Sequence, residues 1–332
     1  MPVSEPLVSV YVLTYNHRPF INRAIECALA QKTDFPFEVV IGEDCSTDGT
    51  REVVFDYAKR YSDIIRVVTS DSNVGMRRNS IRTAEACRGK YIAVCDGDDY
   101  WHRDDKLQIQ ADYLEGHPGC GLVFSDHDRD YLRTGRKICR FFRTTNNIPP
   151  ARFDVFAGWG DRRTYCNMTP CTVMVRRNLW VEILGCYPYT SDEYLGGMDV
   201  AFCEVALVSD VHYIEESLAT YTVQIESACR SRDLKKLAGF NLSVAGAYVH
   251  IAQKYRQTHT MQRVQKIWVR ACVRAAFWER RRDLARKALE QRDLFGKADW
   301  LYYYGALSRL GHFVLCPVAW LHNSVYRAYV IR

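Results

Sequence analysis

The first hundred residues alternate short apolar runs with amphipathic ones, and the polar residues collect where the apolar runs stop. Leu7–Leu13 is a β-branched run that ends in Thr14-Tyr15-Asn16-His17. From Pro19 to about Ala30, apolar residues at Ile21, Ala24, Ile25 and Ala28 follow the spacing of one helix face. Phe37–Ile41 reads as a second strand and runs into Gly42-Glu43-Asp44-Cys45-Ser46-Thr47-Asp48-Gly49. A helix over about Thr50–Tyr61, a strand at Ile64–Val68, a loop at Asn73-Val74-Gly75 and a helix at Arg78–Cys87 follow. Tyr91–Cys95 is a fourth strand, ending at Asp96-Gly97-Asp98-Asp99. Such alternation predicts a mostly parallel sheet with helices on both faces. In sheets of that kind ligands lie beyond the carboxyl ends of the strands. Thr14–Asn16, Glu43–Asp44 and Asp96–Asp98 all fall at those ends, so three clusters distant in sequence are expected to meet along one edge.

The middle of the chain is mixed, with strands expected at Leu122–Ser125, Cys171–Val175 and Ala219–Val223 and a helix at Val200–Val208. From Leu234 the sequence turns helical, basic and aromatic. A boundary near residue 232 divides a domain over 1–232 from a helical extension over 233–332. The net charge of +6 is concentrated in that extension: Arg263–Lys287 holds nine Lys or Arg and two acids, which leaves the remainder near neutral.

The acidic turn is the sharpest chemical signal. Two carboxylates about 4 Å apart repel by roughly 4 kcal/mol at an effective dielectric near 20, and this turn carries three. A divalent cation would relieve them; Mn²⁺ or Mg²⁺ takes oxygen ligands and shares them with phosphates. A solvated turn of helix-capping aspartates is the plainer alternative. In the second cluster, Thr47 and Asp48 suit capping of the following helix, whereas Asp44 stands where it could accept a hydrogen bond from a nucleobase.

Several classes are excluded. No G-x-G-x-x-G follows the first strand, and there is no G-x-x-x-x-G-K-[ST], G-x-S-x-G or H-E-x-x-H. The 13 cysteines form no C-x-x-C pair; the nearest approach is Cys166 with Cys171. Cys27, Cys45, Cys87, Cys95 and Cys203 lie in apolar runs and read as free, packed thiols, which fits a reducing compartment. No basic stretch with an apolar signal core opens the chain, and no run of about 18 uncharged apolar residues occurs. The reading is a cytoplasmic protein, with peripheral contact at the inner face of the membrane left open.

Taken together, four segments resemble the inverting family 2 glycosyltransferases of GT-A fold, in the version of bacterial surface-polysaccharide transferases. They are Val8–Asn16, Gly42–Thr50, Asn73–Asn79 and Gly89–Trp101. The resemblance is clear over about residues 6–115 and thins out to about 230. It implies metal-dependent, inverting transfer of a sugar from a nucleotide-diphosphate donor, UDP type foremost. The acceptor would be a hydroxyl of a glycan or lipid-linked glycan. Thr14, Tyr15 and Asn16 would line the nucleotide pocket, Asp44 would hold the base, and Arg78 would lie near the diphosphate. Asp96 and Gly97 would contact the donor, and Asp96 and Asp98 the metal. Gly196-Gly197-Met198-Asp199 resembles the segment carrying the catalytic base, with Asp192 and Glu193 as rivals and a helix N-cap as the bland role for Asp199.

There is one departure. Tyr221-Thr222-Val223-Gln224 stands where many relatives have Tyr-Arg-x-His, so metal or phosphate binding is expected to be weaker there or to be supplied by Arg230 or Arg232. That departure keeps alive a second reading, a non-catalytic nucleotide-binding or assembly protein of the same fold. A third, a nucleic-acid surface at Arg263–Lys287, is set aside: a basic helix alone more often packs or meets a membrane.

Overall fold

A computed structural model describes residues 5–149, 168–224 and 231–331. They fall into two compact units, one reaching residue 225 and the other starting at 226.

In the first unit, β1 (Val8–Thr14), β2 (Phe37–Glu43), β3 (Ile65–Val68) and β4 (Tyr91–Val94) pair in parallel in the order β3-β2-β1-β4. Every residue of β1 is buried, as expected of a strand covered on both faces. Helix α1 (Ile21–Leu29) buries Ile21, Ala24, Ile25 and Ala28, the face read from the sequence. Helices α2 (Thr50–Arg60) and α3 (Met76–Ala86) complete the crossovers.

Beyond β4 the pairing changes. β5 (Tyr100–Trp101), α4 (Lys106–Gly116), β6 (Cys120–Tyr131), β7 (Arg136–Ile138) and the short helix α5 (Phe141–Thr144) follow in the chain. Next come β8 (Met174–Arg176), α6 (Arg177–Leu184), α7 (Asp199–Val208) and β9 (Asp210–Val223). β8 runs antiparallel to both β4 and β6, β6 runs parallel to β9, and β5 runs antiparallel to β9. The described strands thus form one mixed sheet, ordered β3-β2-β1-β4-β8-β6-β9-β5 with β7 on β6, and helices cover both faces.

Strands β6 and β9 run further than the hydropathy suggested. The extra length of β6 is polar yet buried: Asp126 and His127 are inaccessible to solvent. Asp126 earns its place by accepting backbone N–H bonds from His127, Phe142 and Arg143, which fastens α5 to the strand.

The second unit is helical: α8 (Leu234–Lys254), α9 (Thr258–Glu279), α10 (Arg282–Leu289), α11 (Lys297–Leu307) and α12 (Arg309–Ile331). Asp233 caps α8, accepting from Lys235 N at 2.9 Å and Lys236 N at 3.2 Å. The core is alanine-rich and centred on Phe277 and Tyr302, whose rings meet edge to face at 5.4 Å. The basic stripe of α9 is partly drawn inward. Arg270 pairs with the buried Asp299 at 3.6 Å, and Arg274 lies over the Tyr302 ring. Among the described residues no helix is long and apolar enough to cross a membrane.

Candidate active site

The parallel register brings the three polar clusters level. Thr14 stands opposite Glu43 on β2, and Tyr11 opposite Val94 on β4. The chain leaving β4 stays beside β1, where Gly97 N donates to Leu13 O at 2.8 Å. A Cβ on Gly97 would lie 2.7 Å from Thr14 Oγ1 and 2.8 Å from His17 Nδ1, so no side chain fits there.

Glu43, which the sequence reading left without a role, organises the turn after β2. Its carboxylate accepts from Cys45 N, Ser46 N at 2.6 Å and Thr69 Oγ1, and Arg51 lies 3.6 Å away. Asn16, exposed and at a positive φ of 56°, ties the first loop to that turn. Its N donates to Ser46 Oγ at 3.0 Å, and its Oδ1 accepts from Thr47 N at 2.9 Å. Tyr15 beside it is exposed, and Thr14 is buried with Oγ1 3.4 Å from His17 Nδ1.

Asp44 is buried and acts on the loop before α3. Its Oδ1 accepts from Val74 N at 2.8 Å and its Oδ2 from Gly75 N at 2.9 Å, with Arg82 at 3.5 Å. Gly75 adopts φ 85°, a conformation that favours glycine. Oδ1 also accepts from Arg82 Nη2 at 3.5 Å, which leaves a second lone pair on Oδ2.

Three carboxylates gather after β4. Burial, and then the charge of Asp98, pushes Asp96 up to about 8. Asp99 is held well above the usual carboxylate range by burial and by Asp98 and Asp96. Strand β9 closes over this turn: Thr222 N donates to Asp99 Oδ1 at 2.8 Å, and Gln224 Nε2 donates to Asp98 Oδ2 at 2.6 Å. So the segment that departs from the family pattern does reach the acidic turn. Of the alternative sources of positive charge, Arg230 lies outside the described residues, and Arg232 belongs to the second unit.

Asp199 opens α7 as its first residue. Met198 occupies the N-cap position and no side chain caps the helix. Burial raises the Asp199 carboxyl above its ordinary range. Its rivals differ. Glu193 is exposed, and Asp192 is engaged by Arg77 and by Arg78, whose Nη2 lies 2.9 Å away. Arg78 is thereby linked to the segment preceding Asp199.

Among the described residues no three His, Cys, Asp or Glu side chains are grouped to hold a metal ion by themselves. The donor set nevertheless fits Mn²⁺ or Mg²⁺ in a shared site. The charge of Asp98 disfavours ionisation of Asp96, and these ions commonly take one or two carboxylates with the remaining positions left to phosphate and water.

Residues 9–167 match the family model described as Glycosyl transferase family 2. An uncharacterized protein of Mycobacterium tuberculosis is 38% identical over 117 residues, which cover 35% of this chain and 34% of that protein. TuaG of Bacillus subtilis, provisionally named a teichuronic acid biosynthesis glycosyltransferase, is 36% identical over 110 residues, 33% of this chain and 42% of TuaG. The matched segment therefore spans well under half the length of either relative. Among solved structures, S. aureus TarS in complex with UDP aligns with a TM-score of 0.54 at 17% identity, over 90% of this chain and 89% of that one. Mannosyltransferase PcManGT of Pyrobaculum calidifontis, in complex with GDP-Man and Mn²⁺, aligns with a TM-score of 0.55 at 18% identity, over 99% and 84%. At these identities the likeness concerns the fold.

Proposed function

We propose, from a chain that carries a glycosyl transferase family 2 domain on a GT-A fold, that it transfers a sugar from a nucleotide-diphosphate donor to an acceptor hydroxyl with inversion. The acceptor class is a glycan or lipid-linked glycan of bacterial surface polysaccharide, in keeping with the name that TuaG bears. The observation that carries the reading is the convergence of Thr14, Gly97, Asp96, Asp98 and Gln224 at the carboxyl ends of β1 and β4.

Each residue then has a task. Thr14, Tyr15 and Asn16, braced by Ser46 and Thr47, line the nucleotide pocket. Asp44 positions the Val74–Gly75 loop and keeps a lone pair on Oδ2 for the base. The missing side chain of Gly97 leaves room for the donor. Arg78, on the exposed side of α3, lies toward the diphosphate and holds Asp192. Asp96 and Asp98 would hold Mn²⁺ or Mg²⁺, which when bound stabilises negative charge on the leaving diphosphate.

Asp199 takes the proton from the acceptor hydroxyl as that oxygen attacks the anomeric carbon opposite the diphosphate. The bond from anomeric carbon to diphosphate oxygen breaks with its electron pair leaving on the diphosphate, so no enzyme nucleophile takes part. A half-buried carboxylate of raised basicity suits this work. UDP donors stand first, with GDP donors as the other class seen among the structural relatives. The deciding experiment is a thermal-shift screen of UDP and GDP sugars with Mn²⁺, followed by turnover of the donors that stabilise the protein. Stabilisation with turnover supports transfer, and stabilisation without donor hydrolysis or transfer supports the non-catalytic reading that Thr222 and Gln224 keep open.

The second unit carries the membrane part of the proposal. Along α12, Leu310, Phe313, Val314, Val318 and Leu321 recur at helical spacing on the exposed side, joined by Trp320, and Phe313 is 78% exposed. The helix contains Arg309 and Arg327 and no Asp or Glu. An exposed apolar stripe on a helix whose sequence carries basic residues and no acid fits an anionic leaflet, where a lipid-linked acceptor would be met.

A further inference from the structure

We infer that Arg23, on α1, is a binding residue for the donor diphosphate, contributing from outside the acidic turn the positive charge that β9 lacks. The inference rests on the donor site proposed above. Thr222 and Gln224 are two residues apart at the end of β9, and side chains at that spacing share a face of a strand. Gln224 reaches Asp98 on that face. Arg23 reaches the same face: its Nη2 lies 3.5 Å from Thr222 Oγ1, the outer limit of a hydrogen bond. Its guanidinium carbon stands 3.7 Å from the centroid of the Tyr100 ring, one residue past Asp99. A cation is thus held at the rim of the carboxylate cluster by an aromatic face and one weak bond.

Arg23 has the wrong partners for a structural cation. It is only partly buried, and among the described residues no carboxylate pairs with it, whereas Arg66, Arg82 and Arg88 each pair with a buried acid. A guanidinium has five N–H donors in a planar fork, and the contact with Thr222 engages one. Stacking on Tyr100 orients the fork while leaving its edge open. A phosphate oxygen pair matches that edge geometrically, and the contact is charge-assisted. The weak Thr222 bond is readily exchanged for it. Among the described residues Arg23 forms no ion pair, so binding a donor phosphate does not require breaking one first.

The test is titration of the full chain in Mn²⁺ with UDP and UMP, and with GDP and GMP, for wild type, Arg23→Gln, Arg23→Lys, and Arg23→Gln combined with Thr222→Arg. Loss of one charge-assisted phosphate contact weakens binding by about tenfold or more. The expected result is that Arg23→Gln loses affinity for the diphosphate and much less for the monophosphate, that Arg23→Lys retains part of it, and that Thr222→Arg restores preference for the diphosphate. Equal weakening of mono- and diphosphate with no rescue would make Arg23 a packing residue and overturn the inference, as would a wild-type Kd for UDP and GDP in Arg23→Gln. If wild type binds neither UDP nor GDP, the donor-site reading itself fails, a result distinct from failure of Arg23 alone.

Discussion

The tasks proposed for Asp98 and Asp199 are separable, so their substitutions are expected to fail differently. Asp98 shares the acidic turn with Asp96, whose carboxyl is pushed up to about 8, and it accepts from Gln224. Asp98→Ala or Asp98→Asn relieves repulsion, so the fold is expected to survive while turnover falls by about a hundredfold or more. Circular dichroism with a donor-turnover assay checks both halves; EDTA-treated wild type retaining full activity would overturn the metal assignment. Asp199→Asn is expected to abolish transfer while leaving the Kd for donor within about twofold, since its proposed role is on the acceptor. Near-normal turnover would shift the base to Asp192 or Glu193, and a product of retained configuration would remove the single displacement. The pH profile follows from the same residue. A base works deprotonated, and burial raises the Asp199 carboxyl, so protonation sets in at higher pH than for an ordinary aspartate near 4. The acidic limb of kcat/KM is therefore expected above that value; a rate unchanged down to about pH 4 would contradict the assignment.

At the scale of elements, Asp44 joins β2 to the start of α3, and the sequence disclosed its position but not this work. Turn carboxylates that bind ligands and those that bind backbone amides look alike in sequence; only the fold brings Val74 N and Gly75 N to Asp44. Hydrogen bonds to charged groups contribute about 1.5–3 kcal/mol each, so Asp44→Ala is expected to destabilise by about 3 kcal/mol and weaken donor binding as well. Urea unfolding, with and without UDP and Mn²⁺, measures the two effects; unchanged stability would mean the loop holds itself. Strand β9 shows a different limit. Only Ala219–Val223 was legible, because Asp210–Ser217 carries His212, Glu215 and Glu216 on a partly exposed edge and lacks a continuous apolar run. Helix α12 yields a third expectation. Each Lys or Arg near an anionic surface contributes on the order of 1 kcal/mol, so the full chain should sediment with anionic liposomes and less so as salt rises. Phe313→Glu with Trp320→Glu should abolish that binding while the helical content stays. Indifference to lipid charge would assign the stripe to another partner.

Across the whole molecule, what the sequence disclosed is what local pattern encodes. Buried parallel strands announce themselves by β-branched runs, and the loops at their ends by polar clusters, so β1 to β4 and the site edge were legible from Val8 to Asp99. The antiparallel half was less so, because β5 is two residues long and β8 three, too short for any periodicity. Arg23 escaped notice because nothing in the helix pattern of α1 separates a cation facing solvent from one stacked on Tyr100. The basic run at Arg263–Lys287 was visible, but its use was not, since Asp299 and Tyr302, which engage Arg270 and Arg274, lie on another helix. The central claim is that the acidic turn activates a nucleotide sugar. It is tested most directly by following nucleoside-diphosphate release from UDP and GDP sugars in Mn²⁺, by wild type and by Asp98→Asn in parallel. The expected result is release by wild type from at least one donor, through transfer or slow leakage of the sugar to water, and none above background by Asp98→Asn. Bound donor with no release by wild type, or equal release by both proteins, would contradict it.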